Sequence, residues 1–173
     1  MDSETLTKKE VTNGLVAEMA PGAVSDIPVG SPSSVLDPTM VPTPSVIPVY
    51  IASFFDTRER LLPIAEQLNG MGYYVTSRWL TEAPTIKVED CTEEYFAECA
   101  VRDVQDVSRA AFLIVDTLEI TPRGGREVEY GIALAQGKPL VVVGPKRNVF
   151  HRLAAKHFDY WEDAIAWLRT AAQ

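Results

Sequence analysis

The segment RGGREVEYGIALAQGKP, residues 123–139, places Glu127 and Glu129 two positions apart, directly behind Gly124 and Gly125, at the start of a helical pattern. Small residues between a strand and a helix let backbone N–H groups come close to a ligand, and the positive end of the helix favours a carboxylate. Two readings of the acids follow. Dipole compensation alone accounts for a glutamate at a helix start. Equally, an ionised carboxylate at a ligand rim is the group that covalent glycosyl transfer requires. The helix field that stabilises such a carboxylate would also keep it ionised at neutral pH. The two acids flank different sides of the stripe Val128, Ile132 and Ala135, so periodicity does not choose between them. The loop is neither a GxGxxG fingerprint nor a Walker loop with its Lys-Ser/Thr, which argues against nicotinamide cofactors and nucleoside triphosphate hydrolysis.

A scaffold must position these groups, and the composition bounds it. The chain has 173 residues, 46% hydrophobic and 23% charged, which suits one soluble domain with its own core. The formal net charge of -8 opposes a polyanion's field, so neither a nucleic acid polymer nor an anionic membrane is an expected partner. A small phosphorylated ligand needs only a few local cations and stays open. Cys91 and Cys99 lack CxxC spacing and are read as reduced thiols, with no metal site implied. The opening MDSETLTKKEVTNG lacks the features of a secretory signal, and no apolar run reaches membrane-spanning length, so a cytoplasmic location is expected.

Residues 1–48 lack sustained periodicity and are studded with Pro, Ser, Gly and Val, which predicts a disordered tail. Residues 49–173 form the expected domain. PVYIASFF reads as a strand, and DTRERLLPIAEQLNGMG as a helix with an Asp56/Glu59 capping box and an awkward Pro63. YYVTSRWL is the second strand, TEAPTIKVED a loop, and the segment from Thr92 to Ala110 an amphipathic helix capped by Thr92. AFLIVDT is a strand whose continuous apolar run ends in an acid, PLVVVGP is an all-apolar strand bounded by Pro and a Gly-Pro turn, and NVFHRLAAK, HFDYW and EDAIAWLRTAA complete the order as helix, short strand and helix. This alternation predicts an α/β fold: a single Rossmann-like (flavodoxin-like) three-layer domain with a parallel sheet of about five strands. Ligands in such sheets bind at the carboxyl ends of the strands, here SFFD, VDTLEITPRGG and GPKRN.

Over residues 49–168 the chain resembles the nucleoside 2-deoxyribosyltransferases and the related 2'-deoxynucleoside 5'-monophosphate N-glycosidases. VYIASFFDTRER is similar to that family's opening strand and loop, RDVQDVSRAAFLIVD to its helix leading into the third strand, and GGREVEYGIALAQGKPLVVV to its Gly-x-x-x-Glu-x-Gly-x-Ala signature. The resemblance implies cleavage of an N-glycosidic bond without metal or organic cofactor. It makes Glu129 the nucleophile, forming a covalent deoxyribosyl ester that a second base or water resolves. It puts the acid serving the base on Asp103, with Asp106 on the same helix as the competing candidate and a solvated helix carboxylate as the plain alternative.

The same resemblance implies that Tyr50 hydrogen-bonds Glu129, a buried tyrosine satisfied by backbone being the plain alternative, and that Ser53 meets the sugar's 5' side; Asp116, at the rim, either orients Glu129 or the sugar or only caps a turn. Trp79 either stacks on the base or packs in the core. Arg123 stands where transferases of free nucleosides carry an acid; beside Gly124 and Gly125, and with Arg126 close by, it suits a 5'-phosphate through bidentate hydrogen bonds. Asn148 or His151 is the residue that would complete a neighbouring subunit's site, although His151 on an amphipathic helix also reads as a surface or boundary residue. The implied partner is a small deoxynucleoside or deoxynucleotide, and the implied assembly a homo-oligomer. A nucleotide-sensing module that has lost turnover and an NAD-cleaving domain of similar topology remain as alternatives.

Overall fold

The apolar runs at 112–115 and 140–143 have no polar face to offer water, and each lies inside the sheet, covered on both sides. In the computed structural model, which describes residues 46–82, 90–120 and 123–171, five parallel strands are present: β1 (Ile47–Ala52), β2 (Tyr73–Val75), β3 (Phe112–Asp116), β4 (Leu140–Val143) and β5 (Lys156–Phe158). Their spatial order is β2-β1-β3-β4-β5, with Tyr50 opposite Leu113 and Leu113 opposite Leu140. The described helices are α1 (Arg58–Gly70), α2 (Arg78–Thr81), α3 (Glu93–Arg109), α4 (Gly125–Ala135) and α5 (Trp161–Ala171). The expected three-layer α/β architecture is therefore observed.

Alternation along the strands assigns side chains to two cores. Val49, Ile51, Ile114, Val141 and Val143 pack with Leu61, Leu68, Ile165 and Leu168 of α1 and α5. Tyr50, Ala52, Leu113, Val115 and Val142 pack with Val107 of α3 and with Tyr130 and Ala133 of α4. Each fully covered aliphatic side chain contributes about 1.5–3 kcal/mol, so the three central strands hold the rim that carries the site.

Several local expectations are revised. β1 begins at Ile47, one residue ahead of the expected strand, because Ile47 and Pro48 pair with Tyr73 and Tyr74. Residues 1–45 of the predicted tail lie outside the described residues, and its last two residues belong to β1. The Asp56/Glu59 capping box does not form: residues 55–57 make a 3-10 turn, and Thr57 precedes α1 with no side-chain cap. Pro63 sits within α1 without ending it. The second strand is only three residues long, and Arg78–Thr81 turn into α2 because Ser77 donates to the Ile51 carbonyl at 3.1 Å and accepts from the Ile51 N–H at 2.7 Å. The segment after β4 forms a 3-10 turn at Phe150–Leu153 in place of the expected helix. Among the described residues no helix is long and apolar enough to cross a membrane.

At the exit of β4, Gly144 adopts φ +101°, and a Cβ there would lie 2.7 Å from the Leu118 amide nitrogen and 2.9 Å from Thr117 Oγ1. Only glycine meets both conditions without strain. The strand ends β3 and β4 are thus pressed together just where the loop toward α4 departs.

Candidate active site

The chain order reverses between β1 and β3, the place where open parallel sheets form a crevice. A cavity of about 330 Å³ lies at these strand ends. Its polar lining comes from Ser53 after β1, Asp103 of α3, Arg123 before α4, and Arg126 and Glu129 on α4. Phe54, Phe55, Trp79 and Phe96 supply flat apolar walls, with the Phe55 and Trp79 rings 6.5 Å apart. Trp79 packs against both cores, its indole N–H donates to the Ile51 carbonyl at 3.1 Å, and the residue also lines the cavity.

The buried face of α4 is Arg126, Tyr130 and Ala133, whereas Val128 is 62% exposed, so the stripe lies elsewhere than the sequence pattern suggested. Glu129 stands three residues after Arg126 and four before Ala133 and is carried toward the sheet. Its Oε2 is sealed from solvent without a hydrogen-bond partner, and so is the Tyr50 hydroxyl from β1. The expected Tyr50–Glu129 hydrogen bond is not closed, yet the two groups influence each other's ionisation. Burial, and then the Glu129 and Asp103 charges, push the Tyr50 phenol well up. Burial and then Asp103 push Glu129 well above the usual carboxylate range, against opposing effects of Tyr50 and Arg126.

This corrects the expectation that the helix start holds Glu129 ionised. Glu129 is the fifth residue of α4, beyond the first turn whose amides carry the positive end of the dipole, and Glu127 is the acid within that turn. Burial outweighs the helix field.

On α3, the Thr92 hydroxyl accepts the Tyr95 N–H at 3.2 Å, as its N-cap role requires. The ambiguity between Asp103 and Asp106 is resolved by their partners. Asp106 is buried and spent on Arg78, accepting from Nε at 2.9 Å and from the backbone N–H at 3.1 Å. Asp103 faces the cavity, and burial, then the Asp106 charge, raise its carboxyl to about 6 against the pull of Arg102 and Arg78.

The remaining candidates separate cleanly. Ser53 donates to Thr57 Oγ1 at 2.9 Å, because the Thr57 proton is already given to the Phe54 carbonyl at 2.6 Å. The Arg123 guanidinium lies 5.7 Å from the Phe54 ring centre at the cavity wall. Gly124 is the N-cap of α4 and accepts the Glu127 and Val128 N–H groups, while Gly125 lines the cavity; a Cβ on either would meet nothing within 4 Å.

Asp116 does not join this group. It lies on the opposite face of the sheet, where it accepts from Arg60 at 2.9 Å, Trp161 Nε1 at 2.6 Å and the Leu118 N–H at 3.0 Å. Its role is to cap the turn and tie α1 and α5 to β3. Arg126 is likewise no exposed phosphate ligand, since it is 5% exposed and already bound to protein oxygens.

Asn148 and His151 sit beside a second cavity of about 490 Å³, where Asn148 shares the lining with Glu127, Tyr130 and Phe150. Asn148 Nδ2 donates to Glu127 Oε2, and its Oδ1 accepts the Phe150 and His151 N–H groups. His151 is fully buried rather than at the surface. Its Nδ1 accepts the Arg147 N–H at 3.2 Å, which leaves the proton of the neutral ring on Nε2, 2.9 Å from Glu127 Oε2. Within one chain neither residue reaches the Glu129 cavity. The Arg126–Glu127–His151 connection, with its arginine and histidine buried, was missed from sequence, and the one available hint was the basic residue heading an otherwise apolar helix face. Among the described residues no cluster of three or more His, Cys, Asp or Glu could hold a metal ion.

No protein-family description matches the chain, and no curated protein matches it. Solved structures do. A 2-deoxyribosyltransferase from Bacillus psychrosaccharolyticus aligns at TM-score 0.57 and 20% identity, over 68% of this chain and 90% of that one. A conserved protein from Enterococcus faecalis V583 aligns at TM-score 0.54 and 15% identity, over 73% and 99%. A CMP N-glycosidase from Clostridium botulinum aligns at TM-score 0.48 and 14% identity, over 70% and 97%. At this level of identity the shared property is the fold, and the chain has the fold of a 2-deoxyribosyltransferase.

Proposed function

We propose that the protein cleaves the N-glycosidic bond of 2'-deoxynucleosides or their 5'-monophosphates, with Glu129 as nucleophile and Asp103 as the acid serving the base. The observation that carries this reading is a buried, unpartnered carboxylate oxygen beside a second acid raised to about 6, in a cavity walled by aromatic rings. A carboxylate oxygen of Glu129 attacks C1' of the sugar, the C1'–N bond breaks, and its electron pair leaves on the base, which takes the Asp103 proton. In the second half, water or another base attacks C1', the ester bond breaks to release Glu129 as carboxylate, and Asp103 recovers a proton from the attacking group. Absence of a 2'-hydroxyl lowers the cost of the oxocarbenium-like transition state, which fits a dedicated deoxyribosyl site.

The chemistry requires the pair Glu129 and Asp103 to hold one proton between them. Rates should therefore follow a bell-shaped pH profile whose limbs belong to the pair. The fold likeness to a 2-deoxyribosyltransferase supports the reaction class. Arg123 at the cavity wall is proposed to meet a 5'-phosphate, with the aromatic walls holding the base.

The test is incubation with a panel of deoxynucleosides and their monophosphates, with and without a free acceptor base, followed by chromatography. Base release or exchange is expected, lost in Glu129→Gln and still measurable in Glu127→Gln. Loss of turnover in Glu127→Gln with activity retained in Glu129→Gln would reverse the assignment. Nicotinamide release from NAD without action on deoxynucleotides, or thermal stabilisation by deoxynucleotides without base release, would overturn the proposal.

A further inference from the structure

Glu129 must attack as an anion, yet it is buried close to another acid, so something in the protein has to favour its charged form. Among the described residues a buried cation, Arg126, lies on the same helix face. Arg126 and Glu129 are separated by three residues on α4, neighbours on one helical face, and both line the cavity. The Arg126 guanidinium is fixed: NH1 donates to the Asp116 and Glu119 carbonyls at 3.0 and 3.2 Å, and Nε to Glu127 Oε1 at 3.1 Å. Glu127 in turn is clamped on its other oxygen by Asn148 Nδ2 and by His151 Nε2. A chain of contacts thus runs from the segment after β4, through the first turn of α4, to the wall of the cavity.

Resting on the nucleophile assignment above, we propose that Arg126 is a positioning residue that supports Glu129 as the attacking anion, and that Glu127, clamped by Asn148 and His151, sets how much of the arginine's charge reaches it. The guanidinium is anchored by the carbonyl that ends β3 and by one in the loop that follows, which holds it in place beside the cavity. Glu127 neutralises part of its charge from the side away from the cavity. The direction of Arg126's effect on Glu129 is to favour the carboxylate, opposing burial and Asp103. The other charged or titratable groups around Glu129 are Tyr50 from β1, Asp103 with Asp106 behind it on α3, and Arg123 ahead of α4. Those around Arg126 and Glu127 are His151 from the segment after β4 and Tyr130 on α4 itself.

The test is a carboxyl-carbon NMR titration of Glu129 in the full chain labelled with 13C glutamate, the resonance being assigned by its loss in Glu129→Gln. Arg126→Gln should move the Glu129 midpoint up by about one pH unit, the low end for losing a nearby opposite charge. Arg126→Lys, which keeps the charge and loses the fork, should stay nearer the wild type. Glu127→Gln should move the midpoint down. Opposite movements from adjacent substitutions are not produced by a purely structural role, which would shift both the same way or neither. Equal shifts in Arg126→Gln and Arg126→Lys, or an unchanged or raised midpoint in Glu127→Gln, would overturn the inference. If Arg126→Gln fails to fold, the Glu127→Gln titration alone decides. The titration needs no turnover, so an inactive wild type with the expected shifts would sink the proposed reaction and leave the charge coupling standing.

Discussion

Replacing Asp103 with asparagine should stabilise the protein at neutral pH while removing turnover. The side chain faces the cavity, and burial with the Asp106 charge raises its carboxyl to about 6 from an ordinary 3.8. Between those two pH values the folded chain binds more protons than the unfolded one, so stability falls as pH rises through this window and levels off above it. A displacement of that size corresponds to about 3 kcal/mol at most, and solvent screening of the half-buried group reduces it to about 1–2 kcal/mol. Asparagine keeps the shape and carries no charge, so the penalty disappears in the variant. Urea unfolding of wild type and Asp103→Asn at pH 4, 5, 6, 7 and 8 reads the difference directly. The variant should match the wild type near pH 4 and exceed it by about 1–2 kcal/mol at pH 7–8, a melting shift of about 3 °C or more per kcal/mol. A difference that does not change with pH, or a variant less stable at pH 7, would refute the placement of Asp103 as an ionisable group held against its preference. The activity loss distinguishes a functional acid from a merely misplaced one, since a gain in stability at the expense of function is the signature of a working site.

Other outcomes are equally concrete. Arg123→Gln should raise KM for deoxynucleoside monophosphates about tenfold or more, the value of one charge-assisted contact, and leave KM for unphosphorylated nucleosides unchanged; parallel changes for both would remove Arg123 from the phosphate role. Gly144→Ala should cost about 1–3 kcal/mol in thermal unfolding, because its φ of +101° and the 2.7 Å approach to the Leu118 nitrogen leave no room for a methyl group; a neutral result would mean the two strand exits are not in contact. Asp116→Asn should lower stability through Trp161 and Arg60 and should not alter the shape of the pH–rate profile, in keeping with its place across the sheet from Glu129.

The sequence by itself determined the layers. Uninterrupted apolar runs at 112–115 and 140–143 can be satisfied only inside a parallel sheet covered on both faces, and the alternation of strands with helices then dictates which loops form the rim. Thr92 ahead of two glutamates marked its helix start because capping is a local interaction. What only the tertiary structure decided was which of several similar acids meets which neighbour. Glu127 and Glu129 are equivalent in local pattern, as are Asp103 and Asp106, and their separation comes from distant partners: Arg78 and the segment after β4 claim one of each pair and leave the other facing the cavity. The same long-range claims bound Arg126 to protein oxygens, buried His151, and moved the inward face of α4 onto 126, 130 and 133. Period and propensity describe a residue's own turn, whereas burial and charge are set by what packs against it from elsewhere in the chain, and that is where the ionisation of Glu129 is decided.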